Sequence, residues 1–282
     1  MWAVSVADEN LKLGRGVLIV SLEDPEELYG DRLMLRRCCV AHNADPLGVV
    51  KVRADALRLG NLSSGEKLAM REIASKGERK PMFLDARNLK GERIAKELGR
   101  ILDNVAIDLV ILDYLQEVHS AREHHSTRDK VSEMARAIRQ EVKSRNRSLV
   151  IVSQVTVGDD PDKWPRMNQI RDSRDVVNAA EVVVMAGTAA NDVKVNASDG
   201  TLVPLKKGER GLRVEKVKQG KKGLVKLPWD DDAACFLPVS GGPEYDDRPP
   251  DDPPAYARPR PGDIDEWGFS STLEHDPRQG AD

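Results

Sequence analysis

The sequence predicts an α/β fold with a mostly parallel sheet flanked by helices, and three apolar runs predict it: residues 17–22, 109–112 and 149–152. Runs of Leu, Val and Ile without alternating polar positions read as strands buried on both faces, the pattern of a parallel sheet covered by helices. Each run ends in a polar group, reaching Glu23, Asp113 and Ser153-Gln154. Ligands of such sheets sit beyond the carboxyl ends of the strands, so these three groups are predicted to share one crevice. Two carboxylates and an amide at one sheet edge suit a metal-nucleotide and an activated water.

Composition narrows the setting. At 282 residues the chain is long enough to bury a substantial core. It reads as one domain, residues 1–239, and a tail, residues 240–282, rich in Pro, Asp, Gly and Arg, that is predicted to be disordered. With 44 basic and 47 acidic residues, net −3, the chain is no general polycation, so any DNA contact must come from a local basic patch. Cys38, Cys39 and Cys235 lack metal-ligand spacing, which predicts a reducing compartment. No run approaches the ~18 apolar residues of a membrane span. Residues 1–7 meet Asp8 and Glu9 without a basic start, so neither a membrane segment nor a secretion signal is expected, and the expected location is the cytoplasm.

Along the chain, residues 2–13 predict a short helix stopped by Gly14, ahead of the first strand. A helix from Glu26 to about Ala41 follows, acidic at its start and basic later, as the helix dipole prefers. Residues 45–80 read as helical, with Ser63 or Ser64 as cap and Glu66 just inside. A strand at 81–85 and a helix from Leu89 to about Leu102 lead into the Asp113 strand. The helix 127–145 carries Val131, Met134, Ile138 and Val142 as its buried stripe. After Gln154 come a polar loop ending at 170–175, a short helix at 176–180 and a strand at 181–185. Residues 212–218 and 223–227 predict a basic hairpin.

The wording around the strand ends carries a resemblance. Ser21-Leu22-Glu23-Asp24-Pro25 precedes a helix with Arg32-Leu33; Ile111-Leu112-Asp113-Tyr114-Leu115-Gln116 and Val152-Ser153-Gln154 follow. From about residue 10 to 238 this succession resembles the RecA-type ATPase domain of DnaB-like replicative helicases, a ring-forming family that includes the phage primase-helicases. The resemblance implies a RecA-like fold and a replicative DNA helicase that uses ATP and Mg²⁺ to move along single-stranded DNA. It also implies a homo-oligomer, a hexameric ring, with a primase or helicase loader as a further partner. Asp113 would hold Mg²⁺ through water, Glu23 would orient or deprotonate the attacking water, and Gln154 would sense the γ-phosphate. In the family an Arg-acid-Ser-Gly run grips the phosphates of single-stranded DNA. Here Arg171-Asp172-Ser173 matches and Arg174 replaces the glycine, adding a charge and removing a close backbone approach. The family's hairpin carries a Lys and, two residues on, an Arg that reach the nucleotide of the neighbouring subunit. Lys216 matches the first and Lys218 stands in place of the second, a point charge for a planar fork.

The departure is the phosphate cradle. No Gly-x-x-x-x-Gly-Lys-[Ser/Thr] occurs in the 282 residues, and Met1 falls about where the residue after that motif is expected. The favoured reading is that the true chain begins upstream with that loop. The strand feeding the loop lies inside RecA-type sheets, so its two neighbours are expected to show unpaired edges and exposed Val, Ile and Leu. Other readings are a RecA-type recombination ATPase, a plasmid-type hexameric helicase, and a non-catalytic remnant that binds DNA or partners. The 282-residue chain by itself is predicted to show no DNA-stimulated ATP hydrolysis above background; robust turnover in a coupled phosphate-release assay would overturn that expectation.

Overall fold

A computed structural model describes residues 1–119, 126–155, 164–170, 174–197 and 200–238. All of them belong to one compact unit, Met1–Pro243. The predicted tail, 240–282, lies outside the described residues.

The first half alternates helices and strands: α1 (Trp2–Lys12), β1 (Val17–Ser21), α2 (Glu26–Ala44), α3 (Ala54–Arg58), α4 (Ser64–Ser75), β2 (Met82–Asp85), α5 (Gly91–Asn104), β3 (Leu109–Asp113), α6 (Thr127–Ser144) and β4 (Ser148–Ile151). The four strands form one parallel sheet in the order β2-β1-β3-β4. Alternate residues of β1 and β3 explain why no polar position interrupts them. Val17, Ile19, Leu109 and Ile111 pack with Val4, Ala7, Leu11 of α1 and Tyr29, Leu33 of α2. Leu18, Val20, Val110 and Leu112 pack on the opposite face with Ile94, Leu98 of α5 and Met134, Ile138 of α6. Each such side chain taken out of water is worth roughly 1.5–3 kcal/mol, so these two layers dominate the stability.

The second half is antiparallel. After α7 (Arg174–Ala179) come β5 (Val182–Thr188), β6 (Val193–Asn196), β7 (Leu202–Leu205), β8 (Arg210–Val217), β9 (Gly223–Leu227), β10 (Trp229–Asp230) and β11 (Cys235–Phe236). They pair as a three-stranded sheet β5-β8-β9 and two hairpins, β6-β7 and β10-β11. Among the described residues β4 and β5 each stand at the end of a sheet. β4 is therefore not buried on both faces as its sequence predicts: Leu149, Val150 and Ile151 are half-buried. On β5, Val182 is 52% and Val184 37% exposed.

Several boundaries depart from the sequence reading. Residues 45–80 hold two helices, α3 and α4, separated by loops, rather than one helical stretch. Gly60, at φ +71°, sits in the break between them, a conformation that ends a helix at little cost only for glycine. Ser63 caps α4, its hydroxyl accepting from the Glu66 N–H at 3.2 Å while Glu66 accepts from the Ser63 N–H at 2.9 Å. Gly14, at φ +75°, ends α1 as predicted. The hairpins β6-β7 and β10-β11 have no counterpart in the sequence reading.

One polar cluster lies inside the helical layer. Asp8 is fully buried and accepts from Arg36 Nε at 3.1 Å and Arg37 Nε at 2.9 Å, with Lys12 Nζ at 3.2 Å. Arg36, 2% exposed, also pairs with Glu9 and donates to the carbonyl of Phe236 in β11. The cluster thus fixes α1 against α2 and both against the end of the fold. Asp8→Ala leaves two guanidinium groups facing an empty site, and the expected loss is about 3–5 kcal/mol. Urea unfolding followed by far-ultraviolet circular dichroism measures it; a change below about 1 kcal/mol would mean that water replaces the carboxylate there.

Candidate active site

The parallel register brings the predicted carboxylates to one edge. Ser21, the last residue of β1, stands opposite Asp85 on one side and Asp113 on the other. The pairing continues one residue further, the Leu22 N–H donating to the Asp113 carbonyl at 2.9 Å and the Ala86 N–H to the Ser21 carbonyl at 2.8 Å. A tight turn then lifts Glu23 into solvent: the Ser21 hydroxyl accepts from the Asp24 N–H at 3.1 Å and donates to the Asp24 carbonyl at 2.6 Å. Glu23 is exposed, while Asp113 is half-buried.

A relay of side chains connects these positions. Asp24 pairs with Arg32 Nη1 at 2.6 Å, Arg32 lies 5.5 Å from the centre of the Tyr29 ring, and the Tyr29 hydroxyl donates to Asp113 Oδ2 at 2.7 Å. Burial first, and then the Asp113 carboxylate, raise the Tyr29 pKa far above its ordinary value, so it remains a proton donor. Among the described residues Asp113 Oδ1 has no hydrogen-bond donor, which leaves one oxygen for a metal-bound water. Glu23 has its pKa raised by desolvation at the strand end and by the charges of Asp24, Glu117 and Asp113, with Arg32 opposing them. The amino-terminal end of α1 faces the same edge, since the Met1 amino group, its pKa lowered by burial and Arg32, lies within the fields of Asp113 and Asp24.

Gln154 reaches the site differently from the sequence reading. β4 stops at Ile151, so Gln154 is no strand end but the third residue of the loop beyond it. Gln116 holds that loop: its Oε1 accepts from the Gln154 N–H at 3.2 Å and its Nε2 donates to Ser153 Oγ at 2.7 Å. The Tyr114 hydroxyl donates to Glu117 Oε1 at 2.8 Å. Burial, Glu117 and the nearby Glu23 push the Tyr114 phenol up to about 12.

The other predicted residues lie elsewhere. Lys216, on β8, donates to the carbonyls of Val177 at 2.9 Å and Asn178 at 2.8 Å at the carboxyl end of α7. Lys218, two residues on, is 3.9 Å from Glu181. Neither touches Glu23 or Asp113. Arg171, Asp172 and Ser173 fall outside the described residues, and Arg174 opens α7. Among the described residues no three His, Cys, Asp or Glu side chains converge as a metal cage. Nor is any described helix long and apolar enough to cross a membrane.

The family model for the DnaB-like helicase C terminal domain matches residues 1–237. The chain belongs to this family. Among similar curated proteins, the replicative DNA helicase DnaB of Leifsonia xyli subsp. xyli is 28% identical over 150 residues, 52% of this chain and 31% of that protein. The DnaB of Mycoplasma genitalium is 23% identical over 182 residues, 63% of this chain and 38% of that protein. A probable plasmid replicative DNA helicase of Chlamydia psittaci is 24% identical over 177 residues, 62% and 36% respectively. The chain thus spans about a third of the length of the relatives it matches. In fold it is similar to a solved ATPase domain, with a TM-score of 0.67, 15% identity and coverage of 84% of this chain and 79% of that one. A DnaB-like replicative helicase described with its interactions with primase gives the same TM-score and identity, covering 84% of this chain and 55% of that one.

In this DnaB-like domain, sequence reasoning missed Tyr29, Arg32, Tyr114, Gln116 and Glu117 as site residues. Gln116 and Glu117 were within reach, because they follow Asp113 directly, where a chain leaving a parallel strand must cross the site. Replacing Gln116 with Ala is expected to remove the acceptor of the Gln154 N–H and to speed its hydrogen exchange about fivefold, equivalent to about 1 kcal/mol. Exchange at the β3 amides should not change; equal acceleration at both would make Gln116 a general structural residue.

Proposed function

We propose that this domain hydrolyses ATP to drive movement along single-stranded DNA, as the motor part of a replicative helicase acting as a ring, in the cytoplasm. The observation that carries the reading is the pairing of Ser21 with Asp113, which sets Glu23 beside Asp113 in a chain of the DnaB-like family. The donor set fits a hydrated Mg²⁺, which takes one or two carboxylates and fills its remaining positions with water and phosphate oxygens. Asp113 would hold it through water, by the oxygen that Tyr29 does not occupy. Bound ATP·Mg²⁺ supplies an activated phosphoryl group and in-line charge for displacement.

The chain's own residues do the rest. Glu23 orients a water and accepts its proton at the carboxylate, whose raised pKa makes it the better base. Tyr29 and Arg32 keep Asp113 and Asp24 in place. Gln154, its loop held by Gln116, registers the state of the site and passes it to the segment ending at Arg171, Asp172, Ser173 and Arg174, which grips the strand. Lys216 and Lys218 act on the nucleotide of a neighbouring copy, where a lysine at 218 gives weaker stabilisation than an arginine. No Gly-x-x-x-x-Gly-Lys-[Ser/Thr] phosphate cradle occurs in the 282 residues. A primase or loader is the further partner this reading implies.

The test uses a chain extended upstream through a Gly-x-x-x-x-Gly-Lys-[Ser/Thr] loop. Glu23→Gln is expected to abolish hydrolysis while nucleotide binding persists, and Asp113→Ala to lose both hydrolysis and the Mg²⁺ dependence of binding. As pH falls, the wild-type rate should drop with protonation of Glu23, at a pH above the ordinary 4.5 of glutamate. Binding lost equally in both variants, or an acid limb unchanged by a conservative Glu23→Asp replacement, would remove the role given to Glu23.

A further inference from the structure

Against the second sheet lies a cleft of about 540 Å³ whose lining includes Arg166, Asn168, Asn196, Arg213, Glu215 and Lys222. It shares Arg166 and Asn168 with a smaller lobe of about 260 Å³ that adds Trp164 and Gln169, so the two make one trough. Arg213 pairs with Met185 and Lys216 with Val183, alternate residues of β5, so the two share one face of the sheet across the bulge at Glu215.

The floor of this trough is built from a buried cation. Arg213 is 8% exposed; its Nη2 donates to the Pro165 carbonyl at 2.7 Å and pairs with Glu215, and its Nη1 donates to the Asn196 carbonyl at 3.3 Å. One guanidinium therefore fastens three segments: the run before Arg166, the end of β6, and β8. Its Nε is buried without a hydrogen-bond partner. A buried N–H left unmade costs about 1–3 kcal/mol. Trp164 holds the other wall. Its indole lies so close to Gly187 of β5 that a Cβ there would come within 2.8 Å of it, so the run 164–169 is pinned to the sheet before any ligand arrives.

The charges select the ligand. Glu215 balances Arg213, and the remaining formal charges of the lining, Arg166 and Lys222, are positive and exposed. A cation is repelled, and an acceptor-rich anion is favoured. The volume lies in the range of a ligand of nucleotide size, far beyond a lone ion. Arg166–Gln169 lead within two residues into the run beginning at Arg171. We propose that this trough is a second contact for single-stranded nucleic acid, taking backbone phosphate at Arg166, Arg213 and Lys222 and presenting the amides of Asn168 and Gln169 to the adjoining nucleotide. The inference rests on the reading of this domain as a DNA-translocating motor and adds a contact outside the Arg171–Arg174 run.

The experiment follows a fluorescent oligothymidylate binding to the 282-residue chain by anisotropy across a salt series. Arg166→Ala with Lys222→Ala should weaken binding and lower the slope of log affinity against log salt by about 0.7 to 1.4, at about 0.7 per phosphate contact. Arg171→Ala with Arg174→Ala should lower it by a similar and additive amount. The charge-keeping pair Arg166→Lys with Lys222→Arg should hold the wild-type slope, as should Lys226→Ala, which removes a cation outside the trough that pairs with Glu209. An unchanged slope in the Arg166/Lys222 pair, or an equal fall in Lys226→Ala, overturns the contact while leaving the motor reading intact. Calorimetric binding of pyrophosphate lost in that pair, with the DNA slope unchanged, would overturn it in favour of a free-anion site. Failure of the wild-type chain to bind the oligonucleotide at all would overturn the motor reading and this contact together.

Discussion

The pairing of β1 with β3 is the constraint on which the rest depends. Because side chains alternate along a strand, a slip of one residue would turn Leu18 and Val20 toward α1 and α2, and Val17 and Ile19 toward α5 and α6. It would also move Ser21 away from Asp113. The same hydrogen-bond ladder that buries two apolar layers therefore sets the distance between the two carboxylates, and the chemistry inherits its geometry from the core. The Asp8 cluster and the helical layers serve this end by fixing α1 and α2 over one face.

The candidate site joins like charges that would otherwise repel. Glu23, Asp24, Asp113 and Glu117 lie within one another's fields, with Arg32 as the opposing charge named for Glu23. Such a cluster is unfavourable alone and favourable around a divalent cation. Tyr29 and Tyr114 respond to it by holding their protons, so each supplies a neutral donor where another cation would compete with metal.

Much of this was readable from the chain because burial on both faces leaves a run with no periodicity, and three such runs ending in polar groups are seldom accidental. Glu23 and Asp113 were legible for that reason. Gln154 was legible as a residue but not in its placement, since Gln116 rather than the strand positions it. Tyr29 and Arg32 were not legible, because their roles come from a helix laid across the sheet, and no local pattern states which helical residue will meet Asp113. The loops within 45–80 were marked by Pro46, Gly48 and Gly60, and were passed over because the charged residues on either side of them favour helix. β4 looked fully buried in sequence, yet its burial is decided by what lies beside it rather than by its own residues.

The Arg36–Phe236 contact joins residues 200 positions apart. During synthesis the helix bearing Arg36 leaves the ribosome long before the carbonyl that completes its shell. At about 5–20 residues per second that interval is roughly 10–40 s. Throughout it, α1 and α2 can pack on β1 and close the Asp8 pairs, but one donor of Arg36 must still be met by water. The amino-terminal layer is thus assembled early and sealed late.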